Sequence, residues 1–303
     1  MSITRREFIA TTSVGLFSSY LSSFATPILK DQNKSGYELL IFATDWGFKG
    51  SIDEFCRKIK EAGYNGAEVW YPAEEKNRTE MLAAFKKYNL KFGFLVGGSD
   101  PEFKTHFDQY ISGLTKAINL KPEYINCHSG RDFYSTSENQ AFIQVSLQLA
   151  KSFNVPVYHE THRSRILYAA PVAKEYIRTN EGLRITLDIS HWCNVHESLL
   201  ADQKETVALA LDRTDHIHAR IGHAEGPQVS DPRAPEWKPA VDAHFAWWDK
   251  VVEKKKKEGK RISFLTEFGP PDYMPTMPTT RKPLADQWEL NLHMLNTLRK
   301  RYS

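Results

Sequence analysis

The chain reads as α/β, a single (β/α)8 TIM barrel, and three observations predict it. Eight short apolar runs alternate with longer amphipathic segments over about 265 residues, the repeat and the length of that fold. The first run leads into Asp45-Trp46-Gly47-Phe48-Lys49-Gly50, which is not the glycine-rich phosphate turn of a doubly wound sheet. At 303 residues, 41% hydrophobic and 25% charged, there is material for one large core and too little for several.

The amino-terminal stretch opens on Thr4-Arg5-Arg6-Glu7-Phe8-Ile9, continues as a weakly apolar, serine-rich segment, and closes on Ser23-Phe24-Ala25, a small-x-small cleavage pattern ahead of Pro27. Residues 1–25 thus resemble a twin-arginine export signal, which implies a protein folded before transport and delivered to the periplasm. The apolar part falls short of the ~20 residues a membrane span needs, so no stable anchor is expected. Residues 26–36 read as a linker and 37–303 as the barrel. Within the barrel the candidate strands are 39–43, 66–70, 91–96, 124–127, 155–160, 184–188, 216–221 and 263–267. Helical periodicity covers 51–62, 79–88, 103–120, 137–153, 169–179, 206–211, 240–258 and 281–299. Two connections, 222–237 and 268–283, are long and rich in proline, and are expected to roof the barrel mouth.

Charge and cysteine usage exclude several classes. The net charge of +3 is small and much of its excess sits in the run 254–261, a solvated helix end, so no nucleic-acid partner is expected. Cys56, Cys127 and Cys193 are odd in number and widely spaced, which argues against a disulfide framework. No stretch marks an interface, and a homo-oligomer is left open.

Polar side chains gather at the carboxyl ends of the apolar runs: Glu68, His128, Glu160, Asp188, His218 and Glu267. On a barrel all of these ends meet at one face, where catalytic groups collect. Burying several carboxylates together costs several kcal/mol each in repulsion and desolvation, so a cation is expected among them. Glu160, Asp188, His218 and Glu267 are the expected ligands of one divalent metal ion, and their mixed oxygen and nitrogen donors suit Mn²⁺, Co²⁺, Mg²⁺ or Zn²⁺. Taken singly, Asp188 reads equally well as a helix cap and Glu267 as the partner of an arginine. His216 shares a strand face with His218 but lies further from the carboxyl end, so His218 is preferred as the ligand. Arg131, Arg163, Arg220 and His162 supply hydrogen-bond donors at the same rim. Trp46, Trp70, Trp192, Trp237 and Tyr273 are candidates to stack on a sugar ring, with core packing the rival account for Trp70 and Trp192.

The segments Tyr158-His159-Glu160-Thr161-His162-Arg163, Leu187-Asp188-Ile189-Ser190-His191-Trp192, His216-Ile217-His218-Ala219-Arg220 and Thr266-Glu267-Phe268-Gly269 resemble the xylose-isomerase-like sugar isomerase/epimerase superfamily, and the likeness spans the mature chain. The resemblance implies that Glu160, Asp188, His218 and Glu267 bind metal, that Glu160 and Glu267 also act as acid and base on opposite sides of the substrate, and that His191 holds substrate. His128, Arg220, Glu68, Trp70, His162, Arg163 and Trp46 complete the expected substrate contacts. One departure stands out. Ketose 3-epimerases carry a further glutamate six residues beyond the first metal ligand, and this chain has Ile166 there.

The expected activity is isomerisation or epimerisation of an unphosphorylated sugar or keto-sugar, by proton abstraction through a metal-stabilised enediolate. A lyase or hydratase acting on 3-keto sugars would use the same metal site. A phosphodiesterase like endonuclease IV is a second class, but Glu68-Val69-Trp70 and Asp231-Pro232-Arg233 lack the histidines its three-zinc cluster needs. A non-catalytic carbohydrate-binding protein on the same fold is the third.

Overall fold

The computed structural model describes residues 36–303; the export signal and nearly all of the linker expected before them lie outside the described residues. Eight parallel strands close on themselves in sequence order, with β8 paired back to β1. They are β1 (Glu38–Thr44), β2 (Gly66–Trp70), β3 (Lys91–Gly97), β4 (Ile125–His128), β5 (Val157–Glu160), β6 (Ile185–Leu187), β7 (Thr214–Ala219) and β8 (Arg261–Thr266). The helices are α1 (Ile52–Ala62), α2 (Glu75–Lys87), α3 (Phe103–Ile118), α4 (Thr136–Phe153), α5 (Ala170–Thr179), α6 (Ile189–Val195), α7 (Lys204–Arg213), α8 (Lys238–Glu258) and α9 (Gln287–Tyr302). No helix among the described residues is long and apolar enough to cross a membrane.

Local chemistry sets the helix ends. Ser51 caps α1 and Ser135 caps α4, each in a reciprocal box with the glutamate three residues on, Glu54 and Glu138. Gly63 ends α1 at φ 91, a left-handed conformation that costs glycine nothing.

Strand alternation then divides the barrel into inside and outside. Leu40, Phe42, Tyr124, Tyr158 and Leu265 form a buried interior cluster, in which the Tyr124 ring stacks on Tyr158 at 5.7 Å and meets Phe42 edge-on at 5.4 Å. Two residues further along the same strands the inward side chains turn polar: Asn126 after Tyr124, Glu160 after Tyr158, Glu267 after Leu265. The apolar plug is thus the floor beneath a polar mouth. Outside, Phe264 packs on Trp248 of α8 and Tyr302 of α9. The opposite end of the barrel is tied by ion pairs: Arg261 bridges Glu38 and Glu123, Lys91 also holds Glu123, and Asp215 receives both Arg184 and Lys255. The polar mouth and the tethering ion pairs therefore occupy opposite ends of the barrel.

Three departures from the expected elements have local causes. Asp188 leaves β6 to cap α6, a short helix absent from the expected set, by accepting the Ser190 N–H at 3.2 Å. The strand expected over 216–221 runs two residues earlier, and Ile221 instead receives the Val229 N–H at 2.9 Å to anchor the following loop. The last helix, expected from residue 281, starts later: Thr276 and Pro283 form an isolated bridge there, and α9 waits for its Asp286 cap.

Candidate metal centre

Glu160 ends β5 and is 1% exposed; its Oε2 accepts from Asn126 Nδ2 at 2.7 Å and lies 2.9 Å from His128 Nε2. Asp188 follows β6 and is wholly buried against the Arg220 guanidinium and the Ser190 hydroxyl. His218 on β7 puts Nδ1 2.9 Å from Glu267 Oε2 and 3.6 Å from Glu160 Oε1, while its Nε2 stands 3.2 Å from Glu68 Oε1. Glu267, just beyond β8, is 3.5 Å from Arg220. The four expected ligands therefore come together. Asp188, His218 and Glu267 can each offer an atom within 4.8 Å of the others, and so can Glu160, Asp188 and His191. The two bland roles are present as well: Asp188 caps a helix and Glu267 neighbours an arginine.

Electrostatics decides whether a cation fits. Glu160, Asp188 and Glu267 surround one guanidinium, Arg220, and Glu68 sits beside His216 and His218, so four carboxylates share one permanent cation and the histidines in one buried mouth. Burial alone would lower the His218 pKa, yet Glu267, Glu160 and Glu68 hold it well above the ordinary value. Burial lifts Asp188 to about 6, aided by Glu267 and Glu160 and opposed by Arg220. Protons are thus drawn onto the cluster to balance it, and metal binding would replace them. His218 Nδ1 and Glu267 Oε2 are both buried and are held against each other at 2.9 Å. Close carboxylate oxygens and an imidazole nitrogen, all within reach of one another, make a donor set that fits a divalent ion.

The mouth opens as a cavity of ≈ 160 Å³ lined by Trp46, Glu68, Trp70, His128, His162, Arg220, Glu267 and Tyr273, among others. Aromatic rings follow its rim. Trp70 meets His128 at 5.3 Å, His128 meets His162 at 4.5 Å, His162 meets His191 at 4.1 Å, and Tyr273 meets both His191 at 6.2 Å and Trp46 at 4.9 Å. Trp70 is 54% exposed, the posture of a platform rather than of core. Burial lowers the pKa of His162 and His191, and Arg220 lowers both further, so both favour the neutral imidazole.

Other expected contacts are placed differently. His191 is fully buried and 3.0 Å from Arg220 Nη2, behind the cavity wall. Glu68 is at the floor, between His216 and His218 at 3.2 Å each. Arg163 holds Asn194 and leans over the Tyr273 ring. Trp192 is core, its indole N–H donating to Leu167 O at 2.8 Å, and Trp237 ends a short 3-10 turn with its ring tilted against His223 at 4.7 Å. The three cysteines are buried and free. Sequence reasoning passes over Asn126, whose amide touches Glu68, Glu160 and His218. Its signal is the alternation: Asn126 is two residues before His128 on one strand.

No protein-family model matches the chain, and no curated protein matches it. Solved structures do. The apo 3-keto-D-glucoside 4-epimerase of E. coli aligns with a TM-score of 0.61 at 16% identity, over 87% of this chain and 100% of that one. The chain shares its fold. A D-tagatose 3-epimerase-like protein aligns at 0.56 and 14% identity, over 88% and 96%. Endonuclease IV from Thermus thermophilus aligns at 0.52 and 13%, over 88% and 98%. Identities this low establish the barrel, and the chemistry has to be argued from the side chains.

Proposed function

We propose that the chain is a metal-dependent isomerase or epimerase of an unphosphorylated sugar or keto-sugar, moving a proton on the carbon beside a carbonyl. One observation carries the reading: His218 Nδ1 and Glu267 Oε2 meet as a buried ion pair at 2.9 Å, in a mouth whose carboxylates outnumber its cations. Glu160, Asp188, His218 and Glu267 would hold one Mn²⁺, Co²⁺, Mg²⁺ or Zn²⁺ ion. When bound, such an ion supplies positive charge that stabilises negative charge developing on the substrate oxygens.

The chain's own residues divide the remaining tasks. Glu267 lines the cavity and is the carboxylate that takes the proton. Glu160 approaches from β5, three strands away round the barrel, and Asn126 and His128 fix its Oε2 so that the carboxyl cannot swing. Arg220 steadies both Asp188 and Glu267. Trp46, Trp70 and Tyr273 give the sugar apolar faces and shed water. The cavity, ≈ 160 Å³, is smaller than the roughly 300–1,000 Å³ of pockets for drug-sized ligands, which suits one sugar ring.

The test is hydrogen exchange: candidate keto-sugars in deuterated water, with and without chelator. Metal-dependent incorporation at one carbon is the expected result, and no exchange and no turnover with any of them would overturn the proposal. A product that has lost or gained water would redirect it to a lyase or hydratase with the same proton step. The epimerase and the epimerase-like protein on this fold favour the sugar reading. An endonuclease-like cluster is disfavoured because Asp231 is occupied by Arg233 at 2.6 Å; three zinc ions per chain would restore it. Residues 1–25 we read as the twin-arginine signal that exports the folded enzyme to the periplasm, testable by fractionating cells that carry Arg5→Lys and Arg6→Lys.

A further inference from the structure

Arginines on this chain are generally paired with acids, as Arg184 is with Asp215 and Arg301 with Asp249. Arg78 and Arg299 instead donate to backbone carbonyls. The remaining three without a carboxylate within 4.0 Å among the described residues are Arg131, in the loop after β4, and Arg163 and Arg165, in the loop after β5. On a parallel barrel both loops open on the mouth, and they follow His128 and Glu160 by only a few residues.

Arg165 is the extreme case. Its guanidinium makes no hydrogen bond, ion pair or ring contact among the described residues, and its Nε and Nη1 are buried without partners. Arg131 gives one bond, Nη2 to Ser99 O at 3.0 Å, and its own Nε is also buried and unpartnered. The two loops touch where Ile166 N–H donates to Ser129 O at 3.1 Å, and burial and the charge of Arg131 lower the Arg165 pKa while Glu160 and Asp132 pull it the other way. Glu160 is already committed to Asn126 and His128. Unmade hydrogen bonds at a buried cation are costly, and two adjacent cations sharing that cost are relieved by an oxyanion, which a guanidinium fork binds through two parallel bonds.

We propose that Arg165 and Arg131 form an oxyanion-binding subsite at the lip of the mouth, so that the substrate is an acidic sugar carrying a carboxylate or a phosphoryl group. This rests on the mouth being the substrate site; a carboxylate narrows the substrate class given above, and a phosphoryl group would replace its unphosphorylated sugar. Neutral sugars then fit the cavity but leave the arginines unanswered.

Calorimetric titrations of the full chain, loaded with Mn²⁺, test it with glucuronate, galacturonate, glucose, galactose, glucose 6-phosphate and inorganic phosphate at two salt concentrations. The acidic sugars are expected to bind at least about tenfold more tightly than the neutral ones, and less tightly at higher salt. Arg165→Ala should abolish that preference without changing neutral-sugar affinity. Arg165→Lys, which keeps the charge and loses the fork, should retain part of it, and it carries the comparison if the alanine variant does not fold. Preference for uronates identifies a carboxylate subsite, and preference for the sugar phosphate a phosphoryl one. Equal binding of acidic and neutral sugars, an acid preference that survives in both Arg165 variants, or binding of inorganic phosphate alone would overturn the subsite. The two proposals fail separately. Acid-selective binding through Arg165 without solvent exchange refutes the proton transfer and leaves the subsite standing, whereas exchange on neutral keto-sugars without acid preference does the reverse.

Discussion

Asp188 and Glu267 each do two things at once, and the mouth depends on both. The Asp188 carboxylate starts α6 through the Ser190 N–H while pairing with Arg220. Replacing it by alanine or by asparagine removes the Arg220 pairing in either case, but asparagine can still cap the helix. Urea denaturation should therefore find Asp188→Asn more stable than Asp188→Ala by about 1 kcal/mol; equal stabilities would remove the capping role. Glu267 lines the cavity and adjoins His218 and Arg220, so Glu267→Gln keeps the shape and removes the carboxylate proposed as the base. Solvent exchange should fall about 10²–10⁴-fold with the far-UV circular dichroism unchanged. These residues were legible because each ends an apolar run, and strand ends on a barrel converge. Asn126 and Arg165 were harder. A single asparagine one residue inside a strand boundary carries no pattern of its own, and an arginine without a partner is recognised only once every carboxylate around it has been placed.

At the level of elements, strand–helix alternation was legible throughout because apolar runs of period two and helical segments of period 3.6 are both physical consequences of one buried face. What escaped was α6, whose seven residues begin directly where β6 stops, with no glycine or proline to signal the break. The ion pairs beneath the barrel lend themselves to measurement. Asp215, the second residue of β7, meets Arg184 before β6 and Lys255 of α8. Burial would raise its pKa, but the two cations outweigh burial and hold it below the ordinary carboxylate value. A depressed folded pKa contributes stability that is present above the unfolded value of about 4 and is lost as pH falls through the folded one. Asp215→Asn should cost about 2 kcal/mol at pH 7, less than a fully buried pair because 22% of the Asp215 side chain stays exposed. The gap to wild type should close towards pH 3 in acid titrations of urea stability. A gap of constant size would assign the effect to packing instead of charge.

For the whole molecule, the unbalanced mouth links metal, protons and folding. An ion that binds only the native chain adds about 2.7 kcal/mol when present at a hundred times its Kd, which for a domain of this size raises Tm by roughly 5–10 °C. Calorimetric scans with Mn²⁺ should show that rise, chelator should reverse it, and His218→Ala should abolish it. The sign with pH follows from the raised pKa values of His218 and Asp188. Protonated ligands must be emptied before an ion enters, so the rise should shrink as pH falls, first above the ordinary imidazole range where His218 takes up its proton and again below about 6, the value to which Asp188 is lifted. A rise independent of pH would mean that the ion sits elsewhere.

Gln228 and Gly269 belong to the two long connections at the mouth, and their backbone and amide groups bond in both directions, Gly269 N to Gln228 Oε1 at 2.7 Å and Gln228 Nε2 to Gly269 O at 3.3 Å. The loop after β7 and the loop after β8 are stitched together at that point and can lift only as a pair. Separating one loop from the other costs both bonds, so Gln228 and Gly269 couple the segments that follow the last two strands.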